Sequence, residues 1–259
     1  MSMDIYQHFR EEEKSFIDQV LSWKEEVEQS YIPKLTDFLD PREQHIFQSI
    51  VGQHSDFKLH FFGGGEQTER KRGILAPYYE NLTEDDFHIG LLEASYPNKF
   101  VQITHRDVLG SLMSLGIKRK KLGDIIIHND RIQILCDQEI STFLRFHLTG
   151  IRKAKVEFCE KELRDFRPSQ EEWIIISGTV SSLRLDAVIS EIYQVSRQKA
   201  IDWIKKGAVK VNFRIVENPA FQVEEGDLFS IRKKGRSKFQ AIHGKTKKGK
   251  WKMTAAKLK

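Results

Sequence analysis

Residues 184–232 read RLDAVISEIYQVSRQKAIDWIKKGAVKVNFRIVENPAFQVEEGDLFSIR, and this run decides how the C-terminal third of the chain folds. Leu185, Val188, Ile189 and Ile192 recur at helical spacing, so a helix from Arg184 to Tyr193 buries one face. Ser196 can cap a second helix reaching Lys206, with Ala200, Ile201 and Ile204 inward and Gly207 just past its end. Val209-Lys210-Val211 alternates as a strand, Glu225-Gly226-Asp227 turns the chain, and Leu228–Ile231 is a closing strand. The expected unit is two short helices feeding a small basic hairpin.

The charges in this run are placed for something other than helix stability. Arg184 and Arg197 each stand in the first turn of a helix, where a cation opposes the macrodipole. Lys199, Lys205, Lys206 and Lys210 fall away from the apolar stripe. A phosphate backbone lying across both helices would repay that arrangement, and a solvated helical face is the alternative.

Charge along the whole chain supports the first reading. Residues 1–75 hold 9 Lys/Arg against 14 Asp/Glu, residues 76–168 balance at 14 each, and residues 169–259 hold 19 against 9. After Asp227 twelve Lys/Arg follow without one acid. A one-sided basic field of this kind attracts polyanions and releases their counterions.

Hydrophobic content of 39% with 17 Phe is enough for packed cores, so the chain is not of the disordered class. No apolar run approaches the roughly 20 residues that span a bilayer, and the polar start lacks a secretory segment. The expectation is a cytoplasmic protein without membrane contact. Cys136 and Cys159 lie in apolar, strand-like runs without C-x-x-C spacing, and both are expected as buried free thiols.

Upstream, Phe9, Phe16, Ile17, Val20, Leu21 and Val27 give residues 5–30 a helical period. Asp40 can cap a second helix with Pro41 at its first position. Residues 58–66 then read as a strand entering a glycine turn, left by residues 70–77, with Gly63–Gly65 as a flexible hairpin tip. From 84 to 160 the order is strand, helix, strand, strand, helix, strand. The strands are expected near Phe87–Ala94, Asp124–His128, Arg131–Cys136 and Ala154–Phe158, the helices near Arg106–Leu115 and Glu139–Leu148. Asn129-Asp130 makes the tight turn between the middle strands. This order is the split βαβ arrangement that RNA-recognition motifs use. Its third strand, R-I-Q-I-L-C, lacks base-stacking aromatics, so any RNA contact here is expected through charge and shape. Lys118, Arg119, Lys120 and Lys121 supply four consecutive cations as a second candidate phosphate contact.

Catalytic signatures are weak. His105-Arg106-Asp107 lacks the asparagine and nucleotide loop of a kinase and reads better as a helix start capped by Thr104. The glycine triplet lacks the Lys-Ser/Thr of a phosphate loop. His54 and His60 lack the spacing and cysteine partners of a metal site, so no metal or cofactor is expected.

The 184–232 pattern resembles the RNA-binding domain first named for small-subunit ribosomal protein S-four, the alpha-L motif. That family usually continues V-N-G, whereas this chain has Val211-Asn212-Phe213, a bulky residue at the hairpin tip. Pseudouridine synthases and some RNA methyltransferases carry a large catalytic domain after this module, but only 27 residues follow Arg232. His88–Leu91 and Lys252–Ala255 are scraps of a tyrosyl-tRNA synthetase signature, in the wrong elements. Thr104–Met113, Leu115–Ile125 and the Phe61–Gly65 turn extend the resemblance end to end, to the bacterial YlmH family.

That resemblance implies an α+β protein of several parts. They are an N-terminal helical and hairpin domain (1–78), a ferredoxin-like, RRM-like βαββαβ domain (79–168), an alpha-L RNA-binding domain (169–240) and a basic tail (241–259). It implies a non-enzymatic, monomeric partner of ribosomal RNA and peptidyl-tRNA on the large ribosomal subunit, acting in rescue of stalled translation, with a weaker link to cell division. An RNA-modifying enzyme with an unrecognised catalytic domain, or a division-linked scaffold with incidental RNA binding, are the alternatives.

Overall fold

The structure, a computed structural model, describes residues 6, 9, 11–52, 56–169 and 172–259. The chain forms two compact units, Met1–Ser169 and Gln170–Lys259.

The first unit opens with α1 (Lys14–Ser30), whose Ile17, Val20 and Val27 are buried as the periodicity requires. β1 (Lys34–Leu39) follows, then α2 (Pro41–Val51). The capping box of α2 is complete: Asp40 accepts from the Arg42 and Glu43 amides at 2.9 Å, and Glu43 accepts from the Asp40 amide at 2.6 Å. β2 (Phe57–Phe62) and β3 (Lys71–Pro77) form the expected hairpin, and β1 pairs with the other edge of β3. Strand β1 was not expected. Its six residues between Pro33 and Pro41 have no clean alternation, and only pairing with β3 makes them a strand.

The glycine turn is packed, contrary to the flexible tip read from sequence. Gly63 and Gly64 are buried, and a Cβ on Gly63 would collide with Thr68 Oγ1 and with Arg70 O. A Cβ on Gly64 would lie 2.5 Å from Leu135 Cδ2, and one on Gly65 2.5 Å from Phe166 Cδ1. Gly64 also sits at φ +92°, where a side chain is strained.

The next elements are β4 (Ile89–Ser95), α3 (His105–Ser114), β5 (Leu122–Ile127), β6 (Arg131–Asp137) and α4 (Gln138–His147). A two-residue ladder of β7 (Gly150–Ile151) and β8 (Ala154–Lys155) follows, then β9 (Cys159–Lys161). The antiparallel sheet runs β5-β6-β4-β9, the order of the split βαβ arrangement. Asn129-Asp130 spans the β5–β6 turn, closed by the His128 amide on Arg131 O at 2.8 Å. Thr104 and Asp107 cap α3 reciprocally, as expected. The fourth strand lies later than expected: Val156 and Phe158 plug the core instead, and Cys159–Lys161 pairs with β4. That shift leaves Cys159 exposed, against the buried thiol expected, while Cys136 is buried and burial pushes its thiol up to about 12.

Strand alternation sends Leu92, Ala94, Ile132, Ile134 and Cys136 toward α3 and α4. Ile89, Leu91 and Leu135 point the other way, into a core shared with Phe38, Ile74 and Ala76 of the N-terminal sheet. Both faces of this sheet are therefore used for packing.

The second unit begins with β10 (Trp173–Val180), α5 (Leu185–Tyr193) and α6 (Arg197–Lys205). β11 (Val209–Val211), β12 (Arg214–Ile215), β13 (Leu228–Ile231), β14 (Gly235–Lys245) and β15 (Trp251–Leu258) complete it. One antiparallel sheet runs β10-β15-β14-β13-β11-β12. The segment expected as a basic tail, 241–259, is thus the end of β14 and all of β15. β15 lies inside the sheet, between β10 and β14, with Met253, Ala255 and Ala256 buried. Alanines among lysines carry little hydrophobic signal, and eight residue pairs with β10, from Trp173↔Leu258 to Val180↔Trp251, make the strand.

Candidate nucleic-acid interface

The pieces of the 184–232 motif are joined by specific bonds. Ser196 Oγ accepts from the Lys199 amide at 3.3 Å at the start of α6. Its end is a Schellman arrangement: Gly207 at φ +62° donates to Ile204 O, and Ala208 donates to Trp203 O. The V-N and G-D elements meet directly, Asn212 Nδ2 donating to Asp227 Oδ1 at 2.8 Å while Asn212 Oδ1 accepts from the Leu228 amide at 2.9 Å. Asp227 Oδ2 accepts from the Glu224 amide, which sets the turn. Asn212 and Phe213 both take positive φ, 48° and 68°, as the two-residue connection between paired Val211 and Arg214 demands. Phe213 therefore occupies the glycine conformation without being glycine.

Arg184 and Arg197 are brought together around one carboxylate. Arg184 Nε and Nη2 donate to Asp186 at 3.2 and 3.1 Å, and Arg197 Nε donates to the same group at 3.1 Å. Asp186 is 1% exposed, whereas the two arginine side chains are 37% and 49% exposed. Burial raises the Asp186 carboxyl, but the hydrogen bonds and charges of the two guanidiniums outweigh it and hold the group below the ordinary range. The triad locks the two helix starts together and retains one net positive charge. It explains why cations sit at unfavourable helix ends: Asp186 needs them there.

The lysines behave differently. Lys199, Lys205, Lys206 and Lys210 are exposed, and none of them forms an ion pair among the described residues. Lys205 and Lys206 close α6, and Lys210 lies on the open side of β11. Lys199 Nζ lies 6.0 Å from the Trp203 ring centroid. Lys234, from the β13–β14 turn Arg232-Lys233-Lys234, lies 5.8 Å from the same ring, and Tyr193 packs edge-on against it at 6.2 Å. This turn is a cationic element that the motif reading missed. Its signal was present as three consecutive cations, but only the fold carries them back to α6, with the Arg232 amide on Ala208 O at 2.9 Å.

The run Lys118–Lys121, in the first unit, is mostly engaged. Lys120 Nζ is 2.8 Å from Asp37, and Lys121 Nζ is 3.1 Å from Asp37 and 2.6 Å from the buried Asp137. Arg119 Nη1 donates to Leu122 O and Gly123 O at 2.7 and 3.0 Å, and burial first, then the nearby Arg70 charge, pulls it down to about 10. Lys118 is exposed. The run ties β1 to β6, so the free phosphate patch expected there is reduced to its edge. His54 lies outside the described residues, and among those described no group of three His, Cys, Asp or Glu could hold a metal. No described helix is long and apolar enough to cross a membrane.

Three family models match in the order of these elements. They are "YlmH, N-terminal" over residues 12–80, "Putative RNA-binding domain in YlmH" over 83–165 and "S4 domain" over 183–229. A relative from Bacillus subtilis (strain 168), "Ribosome-associated protein quality control protein P2", is 45% identical over 256 residues, 99% of each chain. The chain belongs to the YlmH family. A solved structure from Streptococcus pneumoniae, "Cell division protein ylmH", has a TM-score of 0.55 and 32% identity over 63% of this chain and 99% of that one. The S4-domain match spans α5 to β13, so the Arg184–Asp186–Arg197 triad and the Asn212–Asp227 bond of this YlmH member both lie inside it.

Proposed function

We propose that this YlmH-family chain is a non-catalytic, monomeric, cytoplasmic RNA-binding protein that docks on the large ribosomal subunit. It would contact ribosomal RNA and peptidyl-tRNA during rescue of stalled translation. The observation that carries this reading is the set of exposed lysines on α6 and β11 that form no ion pair among the described residues, joined by the cationic β13–β14 turn. The name of the Bacillus subtilis relative, a ribosome-associated quality control protein, supports the ribosomal setting. Lys199, Lys205, Lys206 and Lys210 meet phosphate directly. Arg184 and Arg197 hold the helices in register and lend a shared partial charge.

Co-sedimentation with separated ribosomal subunits across a salt series tests this. Charge reversal at Lys205, Lys206 and Lys210 should release the protein from the large subunit and flatten the salt dependence by about one unit of slope for each phosphate no longer neutralised. Retention by a folded triple variant would refute the assignment. The name of the Streptococcus pneumoniae structure favours a second reading, a division-linked scaffold, whose partner binding should survive nuclease.

A further inference from the structure

The middle domain matches a putative RNA-binding family, yet the surface on which such a sheet ordinarily stacks bases is closed. Ile89, Leu91 and Leu135 on that face are buried against Phe38, Ile74 and Ala76, with Leu163 and Phe166 packed beside them. Gln133, on the same face, is 1% exposed; its amide donates to Glu93 at 2.8 Å and to Asp165 O at 3.0 Å, and accepts from the Arg167 amide at 2.9 Å. No base can reach this sheet while the unit is folded.

The opposite layer offers what the sheet lacks. Helix α4 buries Leu144 but leaves Phe143 39% and Phe146 63% exposed. His147 stacks on Phe143, centroids 4.2 Å apart and planes at 16°, which holds both rings in place. The Arg145 guanidinium lies 5.1 Å from the Phe146 centroid. Three residues beyond α4, the β7–β8 hairpin carries Arg152 and Lys153 at its tip and Lys155 on its return, all exposed. Arg152 is held by Asp107 at 3.5 Å, whereas Lys153 and Lys155 form no ion pair among the described residues. From Ile140 to Val156 the chain has four Lys/Arg and no acid.

We propose that this end of the middle domain, Phe146 with Arg145, Lys153 and Lys155, is a second RNA contact that takes unpaired nucleotides. An exposed phenyl ring can stack only on a base that is not already stacked, and flanking ammonium groups suit the adjoining phosphates. Duplex RNA would meet the lysines but leave the ring unused. The inference rests on the RNA-binding reading of the chain but uses none of the residues that carry it.

Fluorescence anisotropy of the full-length protein with a short labelled oligouridine tests the site. It is measured in the parent and in a background with Lys205, Lys206 and Lys210 changed to Glu. Phe146→Leu keeps an apolar side chain and removes the ring; Lys153→Ala with Lys155→Ala removes the charges. Each should weaken oligouridine about tenfold in both backgrounds, with the thermal midpoint unchanged. Equal affinity of Phe146→Leu and parent would overturn the proposal, as would a lysine background that alone abolishes oligouridine binding. Weaker ribosome docking with unchanged oligouridine affinity would also overturn it, pointing to an acidic protein surface. A stem-loop RNA, run in parallel, should lose binding in the lysine background; if it does not, the C-terminal reading fails and the middle-domain site stands on its own result.

Discussion

Lys118–Lys121 and Lys205–Lys210 look alike in sequence and do different work in the fold. The first run faces Asp37 and Asp137, so its ammonium groups close ion pairs between two strands. In the second, Lys205, Lys206 and Lys210 are exposed and form no ion pair among the described residues. A cluster of cations is an interface only where the tertiary structure supplies no acids to meet it.

The largest test of that contrast is a swap of readouts. Lys205→Glu, Lys206→Glu and Lys210→Glu together should lower large-subunit binding on the order of a hundredfold or more at moderate salt, with little change in melting. Lys120→Ala with Lys121→Ala should leave binding by the folded protein nearly intact and lower stability instead. Leaving the buried Asp137 with Arg72, 3.4 Å away, as its remaining cation and the Glu139 amide at 3.1 Å should cost about 2 kcal/mol in denaturant titration.

The arginine triad sits between these extremes, both charged and structural. Arg184→Ala with Arg197→Ala leaves a buried carboxylate unpaired and should cost about 3 kcal/mol, clearly more than the two single changes added together. A double variant as stable as the parent would show the triad to be surface decoration. Because both arginines also hold Asp186, any loss of RNA binding by this double variant has to be read beside its stability.

Acid should separate the two regions more gently. Asp186 has a folded-state pKa below its ordinary value of 3.8, so its contribution is fully present at neutral pH. It should fade as pH falls below about 4 and through the lower folded value, and Asp186→Asn should flatten that part of the stability profile. The smallest expected effect is at the hairpin tip. Phe213→Gly relieves a side chain held at φ +68° and should raise stability by about 1 kcal/mol, read as a higher denaturation midpoint.

What the residues announced in advance was local. The Asp40-Pro41 and Thr104–Asp107 caps, the Asn129-Asp130 turn and the Ser196 and Gly207 limits of α6 involve groups a few positions apart. The split βαβ order was legible on the same grounds, since each element carries its own period. β1 and β15 were not legible, because their pairing partners lie far along the chain and their own patterns are weak. The packing of the glycine turn is illegible for the same reason: Leu135 and Phe166, which forbid a side chain there, are distant in sequence.

By itself, then, the sequence determined the element order, the helix limits, the basic C-terminal field and the motif that marks an RNA partner. Long-range packing set which of the described cations find carboxylates, why two arginines stand at helix starts, and that the middle sheet is closed while α4 shows its rings. The physical reason is common to all three. Periods and caps are settled between neighbours, whereas the fate of a charge or an exposed face depends on what packs against it from elsewhere in the chain.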